Sequence, residues 1–304
     1  MEKFDIVGFG ALNVDKLFKV NRIAGAEGES FVTDYAETCG GSAANTVVGL
    51  ARLGCKASFI GKVAVDRDGE LLLEDFRRDG VDTHGIIRSE HGRSGAVMGF
   101  VDEKGQRALY VDPGVNDSII FEEINKKHIF NSKFLHLSSF VGENSFQSQK
   151  KLVEVLPKNV KVTLDTGELH ARKGLKALAS ILRRTFVFLP NARELEILTA
   201  EADYEKSAKT MLRTGVKIVA VKLGSRGCYV TDGKEAHHIR AVKAKVVDTT
   251  GAGDAFNAGF LFGLINGKSL LECGKTGNLV ASRCIMQMGA RAGLPRLEEL
   301  ERFL

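Results

Sequence analysis

Short apolar runs alternate along this chain with longer stretches in which apolar side chains return every third or fourth position. The runs Phe4–Phe9, Ala57–Ile60, Phe134–Leu137, Val160–Leu164, Phe186–Leu189 and Ile218–Val221 contain few polar positions. They predict strands buried on both faces. Helical spacing predicts helices over Ala43–Leu53, Gly69–Asp79, Ser145–Leu156, Gly174–Arg183, Ala192–Leu198 and Tyr204–Thr214. Buried strands separated by helices of this length build right-handed βαβ units. The expected architecture is therefore α/β, a central and mostly parallel sheet with helices on both faces. Beyond about residue 255 helix follows helix, closing with Arg296–Leu304.

Two segments break this alternation. Leu12–Val20 and Ser30–Glu37 read as exposed strands. Ala96–Val101 and Arg107–Val111 pair across Asp102-Glu103-Lys104-Gly105, where Gly105 suits the left-handed corner of a hairpin loop. A small β-sheet outside the main one is expected from about residues 12–37 and 94–112. No Pro- or Ser-rich linker, internal repeat or low-complexity tract divides the chain, so residues 1–304 read as one domain with an excursion.

Composition narrows the partners. With 304 residues and 44% apolar content the chain can bury a substantial core. A net charge of +5 is modest, and Lys and Arg are scattered, with Arg183-Arg184 and Lys126-Lys127 as mere pairs. No nucleic-acid partner is expected. Cysteines at 39, 55, 228, 273 and 284 are odd in number and show no C-x-x-C spacing, which fits a reducing cytoplasm rather than a zinc site or a disulfide framework. The first residues enter an apolar strand at once, without a signal-peptide core. No apolar run approaches the ~20 residues needed to span a bilayer. The expected location is cytoplasmic, with no membrane partner.

The most informative run is Asp-Thr-Thr-Gly-Ala-Gly-Asp-Ala-Phe-Asn-Ala at 248–258. Gly251, Ala252 and Gly253 stand before a helical pattern carried by Ala255, Phe256, Gly259, Phe262 and Leu264. Small residues opening a helix leave backbone N–H groups bare, and the helix dipole favours an anion there. A carboxylate in the same turn, Asp254, would repel a bound phosphate. The pairing makes sense if Asp254 takes a proton from a hydroxyl while the cradle holds the phosphoryl group under attack. A helix that opens with an acid for ordinary dipole compensation is the plain structural alternative.

Three further groups gather around this run. Cys39-Gly40-Gly41-Ser42-Ala43-Ala44-Asn45 is a second Gly-rich turn before a helix. Asn13 and Asp15 lie two apart on an extended segment, point the same way and are suited to gripping vicinal hydroxyls. Asn191-Ala192-Arg193-Glu194 and Lys222-Leu223-Gly224-Ser225-Arg226-Gly227 both leave predicted strands at their C-terminal ends, where open α/β sheets bind ligands. Two near-motifs are structural. Gly8-Phe9-Gly10-Ala11-Leu12-Asn13 lacks the last glycine of a dinucleotide fingerprint and is followed by a strand. Gly263–Ser269 is one residue short of a P-loop and lies at a helix end.

These motifs resemble the PfkB (ribokinase-like) carbohydrate kinase family from about Phe4 to Pro295. Asp-Thr-Thr-Gly-Ala-Gly-Asp at 248–254 and Gly-Gly-Ser-Ala-Ala-Asn at 40–45 are similar to its two signatures, and Gly10-x-x-Asn13-x-Asp15, Asn191-x-x-Glu194 and Lys222-Leu223-Gly224-x-x-Gly227 to its lesser motifs. The resemblance implies a Mg²⁺-dependent phosphotransferase moving the γ-phosphate of ATP to a hydroxyl of a small sugar. Asp254 would be the general base, and the backbone N–H groups of Gly251, Ala252, Gly253 and Asp254 the anion hole. Asn13, Asp15, Gly40, Gly41 and Asn45 would bind the acceptor. Asn191, Lys222, Gly224, Gly227 and Asn278 would lie along the nucleotide, with Glu194 acting on Mg²⁺ through water. Asp248 and Thr250 match part of the monovalent-cation site of several members, although Gly293 stands where ribokinase has a serine. The small sheet would be a lid that closes over the acceptor and often serves as a homodimer interface. Leu137-Ser138-Ser139 lacks the glutamate that ribokinase carries there, which weakens ribose as acceptor. A nucleoside or sugar-phosphate acceptor, ADP as donor, and a non-catalytic sugar-binding regulator are the alternatives.

Overall fold

The computed structural model describes residues 3–302. Thirteen strands are described: β1 (Phe4–Phe9), β2 (Asn13–Val20), β3 (Val32–Gly40), β4 (Ala57–Ala64), β5 (Ile86–Ser89), β6 (Gly95–Asp102), β7 (Arg107–Asp112), β8 (Ser132–Leu137), β9 (Lys161–Leu164), β10 (Thr185–Phe188), β11 (Ile218–Lys222), β12 (Cys228–Thr231) and β13 (Ala236–Ile239). The helices are α1 (Ser42–Arg52), α2 (Arg67–Arg78), α3 (Lys126–Phe130), α4 (Glu143–Val155), α5 (Gly167–Arg184), α6 (Ala192–Thr199), α7 (Tyr204–Arg213), α8 (Ala252–Ile265), α9 (Leu270–Cys284) and α10 (Leu297–Glu301).

Nine strands form the main sheet in the order β13-β12-β11-β10-β9-β8-β1-β4-β5. It is parallel from β5 to β11, and β12 and β13 add an antiparallel edge. Alternate side chains of each strand enter different cores, as the two-residue repeat requires. Ile6 packs with residues of α1, α2, α8 and α9, whereas Val7 packs with residues of α3 to α7. The sheet is therefore covered on both faces, as its uninterrupted apolar strands predict.

The second sheet has the order β3-β2-β6-β7. Its root is tied to the end of β1: Asn13 opens β2 opposite Gly40, the last residue of β3, and opposite Gly95. Asn116 clamps this root. It accepts from Leu12 N at 2.9 Å and donates to Leu12 O at 2.8 Å and to Asn13 Oδ1 at 3.0 Å.

Sequence and structure differ in a few places. The hairpin β12–β13 and the short strand β5 were not expected. α5 begins at Gly167 rather than Gly174, because the chain kinks at Gly174 (φ 79°) and a first helical segment precedes the kink. β3 runs on to Gly40, beyond the expected Glu37, since pairing with β2 continues to the root of the second sheet. The closing helix is seen over Leu297–Glu301, and residues 303 and 304 of its expected span lie outside the described residues.

Candidate active site

α8 begins where the segment from Asp248 turns under the 289–293 loop. Gly251 takes φ 74°, and a β-carbon there would lie 2.6 Å from Ala290 Cα, so only glycine fits. No side chain caps the helix. Among the described residues, the amides of Gly251, Gly253 and Asp254 find no intramolecular acceptor, whereas Ala252 N donates to Thr249 O at 3.2 Å. The expected cradle of four amides is thus reduced to three, because a turn closes over Thr249–Ala252.

Asp254 faces α1. Its carboxylate accepts from Ser42 Oγ at 2.7 Å and from Asn45 Nδ2 at 2.8 Å. Burial, then the charge of Asp165, push its carboxyl up to about 6, against those two donors and the Lys222 cation. A carboxyl near neutrality exchanges a proton readily at ordinary pH.

Lys222, at the end of β11, stands next to the helix start. A β-carbon at Gly253 would lie 3.4 Å from its Nζ. The ammonium meets Asp165 Oδ2 at 2.6 Å and Asn257 Oδ1 at 3.3 Å, and Asn257 Nδ2 also donates to Asp165 Oδ2 at 2.6 Å. Burial works against the lysine's charge, but Asp165, Glu194 and Asp254 hold it above its ordinary range. Burial also opposes the Asp165 charge, yet Lys222 and Asn257 hold that carboxyl below the usual range. Glu194 is different. Burial and the Asp165 charge push it up to about 7, Lys222 opposing. Its carboxylate accepts from Asn191 N at 2.9 Å and Asn191 Nδ2 at 2.7 Å, while Asn191 Oδ1 accepts from Glu194 N at 2.8 Å, a capping box opening α6. Asn191 is therefore occupied at the helix cap.

From Lys222 a cleft of about 600 Å³ runs outward past Gly224, Gly227, Gly253, Phe256 and Asn278. The expected nucleotide residues other than Asn191 line it. Asn278 is nevertheless buried, and its Nδ2 donates to Ile239 O and Arg240 O at 3.1 Å each. It shapes the wall of the cleft through the backbone.

The expected acceptor residues collect at the root of the second sheet, where Asn13 pairs with Gly40 and Asn45 reaches Asp254. The Asp15 carboxylate presses on Gly40, where a β-carbon would lie 2.2 Å from Asp15 Oδ2. Burial pushes Asp15 up to about 6, Arg291 opposing. Asn45 is buried and bridges two groups, donating to Asp254 and accepting from Arg291 Nε at 2.8 Å. The expected cation residues hold the loop. Asp248 Oδ1 accepts from Thr250 N at 2.9 Å and Thr250 Oγ1 at 2.7 Å, and Oδ2 accepts from Gly289 N at 2.8 Å. This bonding accounts for both residues as a clasp on the 289–293 segment.

Sequence reasoning missed Asp165, Asn257 and Arg291. Asn257 lies three residues after Asp254, one helical turn on, so the spacing held a signal. Asp165 follows a predicted strand at its C-terminal end, which is the ligand-binding edge. Arg291 meets Asn45 across 246 residues of chain, and no local pattern marks it.

Known proteins are similar to this chain. The model of the pfkB family carbohydrate kinases matches residues 3–297. An uncharacterised sugar kinase of Archaeoglobus fulgidus is 50% identical over 252 residues, covering 82% of this chain and 99% of the relative. The ATP-dependent ribose-1-phosphate kinase of Halopiger xanaduensis is 33% identical over 256 residues, covering 84% of this chain and 83% of that one. The crystal structure of ribokinase from Thermotoga maritima superposes with a TM-score of 0.86 at 28% identity, covering 99% of each chain. With its paired signatures, its parallel sheet and its small second sheet, this chain belongs to the pfkB family of carbohydrate kinases.

Proposed function

We propose that the protein transfers the γ-phosphoryl group of ATP to a hydroxyl of a small sugar. One observation carries this reading: a carboxyl pushed up to about 6, Asp254, lies in the first turn of a helix where the amides of Gly251, Gly253 and Asp254 are open, beside the Lys222 ammonium. A plain phosphate binder gains nothing from that carboxylate. In the proposed step Asp254 removes the acceptor hydroxyl's proton as its oxygen bonds to the γ-phosphorus. The bond from γ-phosphorus to the β–γ bridging oxygen breaks, and ADP leaves with the electron pair. The amides of Gly251, Gly253 and Asp254, with Lys222, stabilise the charge on the transferring group. Asn13, Asp15, Gly40, Gly41 and Asn45 form the acceptor end. The nucleotide lies along the 600 Å³ cleft.

The residues present fit a divalent ion in a limited way. Among the described residues no group of three or more His, Cys, Asp or Glu side chains stands ready to hold a metal. Mg²⁺ keeps most of its waters and binds through one or two carboxylates plus substrate phosphates, which suits the lone carboxylate of Glu194. Glu194 accepts two hydrogen bonds and keeps lone pairs for a metal-bound water. Bound there, Mg²⁺ would neutralise triphosphate charge that Lys222 alone leaves unbalanced. No step is assigned to a monovalent ion.

We read the chain as one catalytic unit whose four-stranded sheet is the lid, closing to exclude water as a competing acceptor. Phe31, Val32, Tyr35, Leu109 and Tyr110 leave apolar surface on that lid exposed. A homodimer through this surface is part of the proposal. A sugar phosphate is the second reading for the acceptor, favoured by the 33% identity to the ribose-1-phosphate kinase. The test is a phosphorylation screen of sugars, sugar phosphates and nucleosides with ATP and with ADP, read by mass spectrometry. A phosphorylated sugar or sugar phosphate is expected. Folded protein that binds both ligands and phosphorylates none of them would point instead to a sugar-binding regulator.

A further inference from the structure

Arg291 reaches the acceptor end of the cleft from the loop before α10 and is buried there. Its guanidinium donates in three directions. Nη1 pairs with Asp75 of α2, Nε donates to Asn45 Oδ1 at 2.8 Å, and Nη2 donates to Gly40 O at 3.3 Å. The Arg291 backbone is fixed as well. Its carbonyl accepts from Arg52 Nη1 at 2.6 Å, and Arg52 is forked onto Asp79 at 2.8 and 2.9 Å. Asn45 then passes this order on, since its Nδ2 donates to Asp254 Oδ2 at 2.8 Å.

A side-chain amide has one accepting and one donating end. With Arg291 on the oxygen, the donating end must face Asp254. A flip would set Asn45 Oδ1 against the carboxylate and its NH₂ against the guanidinium, two repulsive contacts at once. We infer that Arg291 is a positioning residue for the reaction: through Asn45 it fixes the orientation of the Asp254 carboxylate toward the acceptor. This rests on the reading of Asp254 as base. Lysine can replace it only in part, because the three contacts are made by three separate guanidinium nitrogens and a single ammonium nitrogen cannot stand at all three places.

The test compares the full-length wild type with Arg291→Met, Arg291→Lys, Asn45→Ala, Asn45→Ala/Arg291→Met and Asp254→Asn. Hydrogen bonds involving a charged group support a loss in kcat of about ten- to a hundredfold for Arg291→Met, with ATP affinity held within about twofold. Arg291→Lys should recover part of the loss. The double variant should be no slower than Asn45→Ala alone, because the proposed route from Arg291 to Asp254 runs through Asn45. A second readout needs no acceptor. The Asn45 side-chain amide, assigned in a nitrogen–proton NMR spectrum by its loss in Asn45→Ala, should follow the titration of Asp254 in the wild type and not in Arg291→Met. The charged groups facing Asp254 in that titration are Asp165, Lys222 and Glu194 from the neighbouring strands and helix. Should Arg291→Met leave Asp75, then paired with Arg78 but not Arg291, too costly to bury and fail to fold, Asp75→Asn/Arg291→Met removes that charge and carries the same expectations. Additive losses in the double variant, or an unchanged Asn45 titration in Arg291→Met, overturn the inference. Wild-type turnover in Asp254→Asn would instead sink the base assignment beneath it.

Discussion

Lys222→Met separates the structural work of the lysine from its chemical work. The side chain is largely shielded and its partner Asp165 is buried, the two 2.6 Å apart. Removing the cation leaves Asp165, among the described residues, with Asn257 Nδ2 and Gly167 N as donors, at 2.6 and 3.2 Å. Breaking a buried pair from one side costs about 3–5 kcal/mol, because the remaining charge is stranded. For a chain of this size that is a fall of roughly 6–10 °C in Tm. Asp165→Asn in the same protein removes the stranded charge, so Lys222→Met/Asp165→Asn should regain most of the lost stability. It should not regain turnover, since the cation beside the amide cradle is still missing, a loss of about 10²–10³ in kcat. The pH dependence carries a definite sign. Asp165 titrates below its ordinary 3.8 in the fold, so its stabilisation is present above that value and is lost as the pH falls through the lower, folded one. Thermal unfolding and steady-state turnover on the same preparations decide the matter. An unchanged Tm in Lys222→Met, or wild-type turnover in the double variant, would refute the reasoning.

Three further outcomes are expected. Acceptor kcat/KM should rise with pH through about 6 as Asp254 ionises, and Ser42→Ala, which removes a donor to the carboxylate, should move that limb to higher pH; a limb that ignores Ser42→Ala would detach Asp254 from it. Asp15→Ala should raise the acceptor KM roughly ten- to a hundredfold and leave ATP affinity nearly unchanged, as paired titrations would read; weakened ATP with the acceptor spared would reverse the orientation of the cleft. Gly227→Ala should weaken ATP binding more than acceptor binding, because its φ is 91° and its β-carbon would lie 1.9 Å from Ile239 O on the cleft wall; calorimetry showing intact ATP affinity would contradict this.

The parts of the fold that sequence revealed are those where one physical rule acts alone. β1, β8 and β11 are buried on both faces, and their apolar runs leave no competing reading. Edge strand β13 reads Ala-His-His-Ile and is mostly exposed, so neither burial nor alternation marks it. Its pairing with β12 is decided by the neighbouring strand. The same divide runs through the site. Asp254 was legible because its carboxylate and the small residues that leave amides open share one helical turn. The pairing of Lys222 with Asp165 joins two strand ends 57 residues apart, and only the folded sheet brings them together. Asn278 and Asn191 show a second kind of role that local sequence does not display, since polar side chains at expected ligand-bearing positions also bond to backbone groups and helix caps.

The central claim is that Asp254 moves a proton while the start of α8 holds a phosphoryl group. The most direct measurement is the turnover of Asp254→Asn with the acceptor that the screen identifies, alongside its Tm and its affinities for ATP and acceptor. The account predicts kcat lower by roughly 10²–10⁴-fold, with the fold and both affinities retained. Near-wild-type turnover by the folded variant would contradict it.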